Sequence, residues 1–191
     1  MSLKKKSVLR DWIESIVIAF LLAMVIRAFL VQAFRIPTGS MRMTLIEGDL
    51  ILVNKLIYGA RIPFTKLNLP AFRLPARGDV IVFVYPEDAK KDFIKRLVGL
   101  PGEKVEIKGG SIYINDKLIT DPVFNQVYYY NRGDFALEGK SIMVPEDSYF
   151  VLGDNSASSK DSRFWGFVPK SNLLGKALII YWPPQRIRII K

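Results

Sequence analysis

The chain has 191 residues and a net charge of +10, from 28 Lys and Arg against 18 Asp and Glu. It contains no cysteine and no histidine, which excludes disulfides, thiol nucleophiles, thiolate or HExxH zinc sites and every triad built on imidazole. A hydrolase made from this sequence must take its base from a lysine or a carboxylate.

Lys4, Lys5, Lys6 and Arg10 open the chain with no acid among the first ten residues. An apolar stretch, residues 13–34, follows with Glu14 and Arg27 as its only formal charges. In helical form it would span roughly 30 Å, the thickness of a bilayer core. The sequence therefore predicts a basic cytoplasmic N-terminus over 1–10, a transmembrane helix over 11–34 and an extracytoplasmic domain over 35–191, oriented by the positive-inside rule. A buried core helix is the competing reading. A cleavable signal peptide fits worse, because the stretch is long and runs into Arg35-Ile36-Pro37 without a small-residue cleavage site. The remaining positive charge is spread without a dense run, which points to anionic membrane lipids as a partner rather than to nucleic acid.

Beyond residue 35 no long helical periodicity exists. Short runs rich in Val, Ile, Tyr and Phe, separated by Gly or Pro, read as strands: 50–53, 80–85, 93–98, 104–108, 111–115, 142–144, 149–152 and 177–182. Lys108-Gly109-Gly110-Ser111 between two of them is a hairpin signal. The expected class is all-β, with more than one antiparallel sheet and one N-terminal transmembrane helix.

Three segments carry candidate chemistry. Directly after the apolar stretch comes Ile36-Pro37-Thr38-Gly39-Ser40-Met41, in which Pro37 is expected to end the preceding helix and Gly39 to give the backbone freedom to present Ser40. Next, Phe93-Ile94-Lys95-Arg96-Leu97-Val98-Gly99 reads as a strand. Alternation puts Lys95 on one face with Phe93 and Leu97, and Arg96 on the other. Desolvation there would favour a neutral lysine, able to deprotonate a serine; an edge lysine that discourages aggregation is the bland alternative. Last comes Gly153-Asp154-Asn155-Ser156-Ala157-Ser158-Ser159-Lys160-Asp161-Ser162-Arg163-Phe164-Trp165-Gly166, rich in turn-bracing side chains, with an Asp161–Arg163 ion pair in reach. A plain structural loop has the same composition, and a divalent-metal loop would need more carboxylates.

Taken in this order, just outside an apolar span, the three segments closely resemble bacterial type I signal peptidases. The resemblance covers the apolar span and nearly all of the chain after it. It implies an antiparallel β catalytic domain with a small inserted sheet region at about 103–148. It also implies a Ser/Lys endopeptidase of the inner (cytoplasmic) membrane, crossing it once and using no metal or cofactor. Such an enzyme removes signal peptides from secreted preproteins after small residues in an A-x-A-like pattern. By motif position Ser40 is the nucleophile and Lys95 the general base. Thr38 joins the Ser40 backbone N–H in the oxyanion hole, Ser159 orients Lys95, Asp161 and Arg163 hold the site together, and Gly153 and Asn155 shape it. The sequence departs at Met43, where the family usually has proline. Two rival readings remain: a Ser/Lys autoprotease related to the SOS repressors, which would need a soluble DNA-binding domain in place of the apolar span, and a membrane-tethered β-domain that binds partners without catalysis through Tyr128, Tyr129 and Tyr130.

Overall fold

The computed structural model describes residues 8–25, 30–59 and 70–191. The first element is helix α1 (Val8–Val25), whose 18 residues extend about 27 Å. Leu9, Ile13, Ile16, Val17, Phe20, Leu21 and Met24 are exposed on it. Arg10 pairs with Glu14 on the same helix at 2.9 Å. No described helix is long and apolar enough to cross a membrane. Lys4, Lys5, Lys6 and Arg27 lie outside the described residues.

The apolar stretch is not helical to residue 34. Val31–Arg35 forms strand β1, paired antiparallel with β2 (Leu50–Asn54) through Phe34↔Ile51 and Ala33↔Leu52. A continuous apolar run hides the two-residue alternation that turns Phe34 toward the core beside Ile51 and Val53. Pro37 therefore follows a strand rather than ending a helix.

Strand β3 (Val80–Val84), strand β4 (Asp92–Gly99), strand β9 (Ser148–Leu152), strand β10 (Val168–Pro169), strand β11 (Leu173–Trp182) and strand β12 (Arg188–Ile189) complete the larger sheet. Its order is β1-β2-β11-β3-β4-β9-β10, with β12 on β11, and every pairing is antiparallel. At the centre of the sheet, in β3, both faces are buried. Val80 and Val82 enter a core with Ile36, Met41, Leu45 and Ile51, while Ile81 and Phe83 enter another with Tyr85, Leu97, Tyr149 and Trp165. Strands buried on both faces read as unbroken apolar runs, and Val80–Val84 does so.

Between β4 and β9 the chain makes an excursion into a second sheet, ordered β7-β6-β5-β8: β5 (Lys104–Lys108), β6 (Ser111–Ile114), β7 (Lys117–Leu118) and β8 (Ser141–Met143), with short helix α2 (Pro122–Asn125). Lys108 faces Ser111 across a two-residue turn. Gly109 and Gly110 there have φ of 58° and 78°, the left-handed pair that a type I′ turn requires. The excursion shares a core with the larger sheet through Val98, Phe150 and Leu152.

Candidate active site

The Ser40 loop begins where β1 ends. Gly39–Met41 form one 3₁₀ turn in which Ser40 and Met41 are buried. Gly39 has an ordinary φ, outside the left-handed region, so backbone freedom is not what places a glycine there. A Cβ at this position would lie 2.5 Å from the Arg42 Nε, in the way of the Arg42–Glu47 ion pair of 2.7 Å. That pair, the buried Met41 and Leu45, and the Thr44 hydroxyl on Asp154 at 2.5 Å brace the loop. Met43 itself is exposed, so the loop is held without proline.

Strand β4 delivers Lys95 to this loop. The Lys95 Nζ lies 2.7 Å from Ser40 Oγ and donates to the Ile94 carbonyl at 2.9 Å. Lys95 is 3% exposed and Ser40 8%. As alternation predicts, Phe93 shares the lysine's face, its ring 5.4 Å from Nζ. Phe93 stacks on Tyr85 at 4.3 Å, and Trp165 meets both edge-on. This aromatic wall keeps water from the amine, and desolvation lowers its pKa from the ordinary 10.5 to about 8, against the opposing pull of Asp161 and Asp154. The bland edge-lysine reading fails on burial.

The third segment closes over the pair. Asn155 donates its backbone N–H to the Ser40 carbonyl at 3.0 Å and its Nδ2 to the Gly39 carbonyl at 2.9 Å. Asp161 and Arg163 are fully buried and joined by two bonds of 2.8 Å. Asp161 also caps helix α3 (Ser162–Trp165) and accepts from Gly153 N at 3.0 Å. Arg163 reaches further, to the Tyr130 carbonyl and to Ser156 Oγ, each at 2.9 Å. Gly153 is required by proximity: a Cβ would stand 2.1 Å from Ser159 Oγ and 2.6 Å from the Ser40 carbonyl oxygen.

Thr38 is exposed at the mouth and lines the same 300 Å³ cavity as Ser40, Lys95, Phe93 and Lys160. The Ser159 hydroxyl is buried but makes no hydrogen bond among the described residues. The expected bond from Ser159 to Lys95 is therefore absent, and the Ile94 carbonyl is the amine's second partner instead. A narrower dent of 40 Å³ continues from the cavity between β1 and the start of β4, lined by Phe34, Ile36, Ile51, Val82 and Ile94. Among the described residues, strand β4 pairs over Asp92–Lys95 only with β3 and β1 pairs only with β2, so two strand edges without a described partner flank the opening.

Sequence reasoning passed over Arg96. Its side chain is buried on the opposite face of β4, bidentate to Asp154 at 2.8 and 2.7 Å, and it donates to the Thr44 hydroxyl at 2.9 Å. Thus the Ser40 loop, β4 and the 153–163 loop are tied by one charged network behind the Ser40–Lys95 pair. The signal was the adjacent Lys95-Arg96, since a buried strand seldom places two cations on its opposite faces without partners.

Comparison with known proteins identifies relatives of the chain. The family described as signal peptidase, peptidase S26, matches residues 9–182. A signal peptidase I from Leptolyngbya laminosa is 37% identical over 192 residues, covering 96% of this chain and 85% of its own. A signal peptidase I from Pseudomonas aeruginosa is 33% identical over 219 residues, covering 97% and 77%. Among solved structures, a signal peptidase I from Enterococcus faecalis aligns at 31% identity with a TM-score of 0.44, covering 56% of this chain and 98% of that one.

Proposed function

From the premise that this chain belongs to the signal peptidase family, peptidase S26, and is a serine peptidase that removes signal peptides, we propose that Ser40 and Lys95 carry the reaction. The observation behind this is a buried lysine amine 2.7 Å from a serine hydroxyl in a protein without histidine. The neutral Lys95 amine takes the Ser40 proton, and Ser40 Oγ attacks the scissile carbonyl. The Ser40 N–H and the Thr38 hydroxyl hold the oxyanion. The Lys95 ammonium returns the proton to the leaving amine, and Lys95 next deprotonates the water that frees the acyl group. The Ile94 carbonyl holds Nζ on line, and the Asp161–Arg163 and Asp154–Arg96 pairs fix the loops without adding a free charge beside the amine.

The substrate chain lies extended between these edges of β1 and β4, as an added strand. The dent bounded by Phe34, Ile36, Ile51, Val82 and Ile94 admits a small apolar side chain and excludes an aromatic one, which supports cleavage after small residues. We further propose that the apolar stretch anchors the protein in the inner (cytoplasmic) membrane, with Lys4, Lys5, Lys6 and Arg10 at anionic lipid on the cytoplasmic side. The anchor ends before Val31, because Val31–Arg35 belongs to the sheet. Exposed apolar side chains around α1 support it.

The test is cleavage of a preprotein by the detergent-solubilised chain. Native protein should release the signal peptide, and Ser40→Ala should not. Undiminished cleavage by a folded Ser40→Ala variant would overturn the assignment.

A further inference from the structure

On the far side of the Ser40 loop from Lys95 lies a second groove of 400 Å³, lined by Arg42, Met43, Tyr128, Tyr130, Asn155 and Ala157. Asn155, bonded to the Gly39 and Ser40 carbonyls, forms the partition between this groove and the cavity that holds Lys95. Gln126, Asp154 and Ser156 also line the groove, so its surface is mixed, with large side chains bare along one wall. Met43 and Tyr128 are each 60% exposed and Tyr130 41%. The two tyrosine rings meet edge-on at 5.0 Å.

This wall comes from the inserted sheet region, yet it is bolted to the active-site loops. Tyr130 N donates to Ser156 Oγ at 3.0 Å, and Arg163, the partner of Asp161, donates to the Tyr130 carbonyl. Arg132 stacks over the Tyr130 ring at 5.0 Å and donates to the Ala157 carbonyl at 2.8 Å. Tyr128 rests against Gly110, where a Cβ would come 2.2 Å from its ring. Loop residues fixed from so many sides keep their geometry without help from a ligand, and exposed tyrosines so held are suited to recognition.

We infer that this groove receives the polypeptide on the carboxyl side of the scissile bond, the first few residues of the released chain. The inference rests on the proposed role of Ser40. Small side chains before the cut fill the dent between β1 and β4, and an extended chain passing Ser40 leaves by the opposite end of the loop. That end is where the groove opens. Each further residue advances the chain by about 3.3 Å, so a handful of residues reaches both tyrosines. Apolar and aromatic side chains of the departing segment pack on Tyr128, Tyr130 and Met43.

Two peptides sharing one sequence before the cut test this, one ending a single residue after the cut and one continuing for several, with an aromatic side chain among them. The readout is the ratio of their kcat/KM values on the full chain in detergent. Native protein should favour the longer peptide by about tenfold, the worth of one or two aromatic contacts. In Tyr128→Ala, and in Tyr130→Ala, the ratio should fall toward one. Equal rates on native protein, or a ratio untouched by both substitutions, would overturn the groove while leaving the role of Ser40 standing. Failure of native protein to cut either peptide would instead remove the role of Ser40, and the groove with it.

Discussion

Replacing Lys95 with methionine should abolish cleavage and at the same time make the protein more stable at neutral pH. The unfolded lysine titrates near 10.5 and the folded one near 8. Below about pH 8 both states are protonated, and the folded state carries a desolvated ammonium worth about 3 kcal/mol against it. Methionine has similar volume and no charge, so the substitution removes that cost. It also leaves the Ser40 hydroxyl without its partner, a loss of about 1 kcal/mol because the cavity gives it access to water. The net gain is about 2 kcal/mol, or roughly 5 °C in Tm for a chain of this size. As pH rises from about 8 to 10.5 the native protein releases this proton in the folded state first, so its stability climbs, and the advantage of the variant should vanish within that range and turn into a deficit of about 1 kcal/mol, the lost Ser40 partner. Thermal unfolding of both proteins in detergent across that range, beside preprotein cleavage, gives the answer. A Lys95→Met protein that is less stable at every pH, or whose advantage does not depend on pH, would refute the account of a desolvated lysine. A folded variant that still cleaves would refute its role as base.

Further outcomes follow from the same contacts. The kcat/KM of native protein should rise with pH through about 8 as the Lys95 amine loses its proton; a profile flat across about one pH unit either side of that value would place the base elsewhere. Asp161→Asn breaks a fully buried ion pair and should cost about 3–5 kcal/mol in denaturant unfolding, so a loss under about 1 kcal/mol would show that Arg163 is held by its other partners. Gly153→Ala must push the Ser40 carbonyl or Ser159 aside, and should reduce kcat far more than Tm; unchanged kinetics would show that the loop yields freely. A protease added to intact spheroplasts should digest the domain beyond residue 35 and spare the first ten residues, and a protected domain would reverse the proposed orientation.

Much of this was legible before any coordinates. The eight sequence-predicted strands all form, because Val, Ile and Phe in runs of four to eight between turn residues specify strands strongly. The pairing of Ser40 with Lys95 came from motif order together with the missing histidine. Local pattern was insufficient elsewhere. Strand β1 merged with the apolar run before it, since an edge strand with Val31, Ala33 and Phe34 differs little in composition from the end of a hydrophobic helix. Strands β7, β10 and β12 have two residues each, too few for any periodicity, and exist only through their pairing. The Arg96–Asp154 bond joins positions 58 residues apart, and no spacing rule reaches that far. Ser159 shows the opposite limit: the motif assigned it to orient Lys95, but its buried hydroxyl makes no hydrogen bond among the described residues, because hydrogen-bond direction belongs to the packed structure and not to the motif.

The excursion from β4 to β9 has one more consequence. The chain departs at Gly99 and returns at Ser148 on two strands that are neighbours in the larger sheet, with Leu97 opposite Val151. Entry and exit are therefore side by side, and the intervening segment can lengthen or shorten over evolutionary time without re-threading the catalytic sheet. Such a segment is a replaceable part, and in this protein a compact one. Because it also supplies Tyr128 and Tyr130, heredity can retune what is gripped beyond the cut while the chemistry of the cut stays as it was.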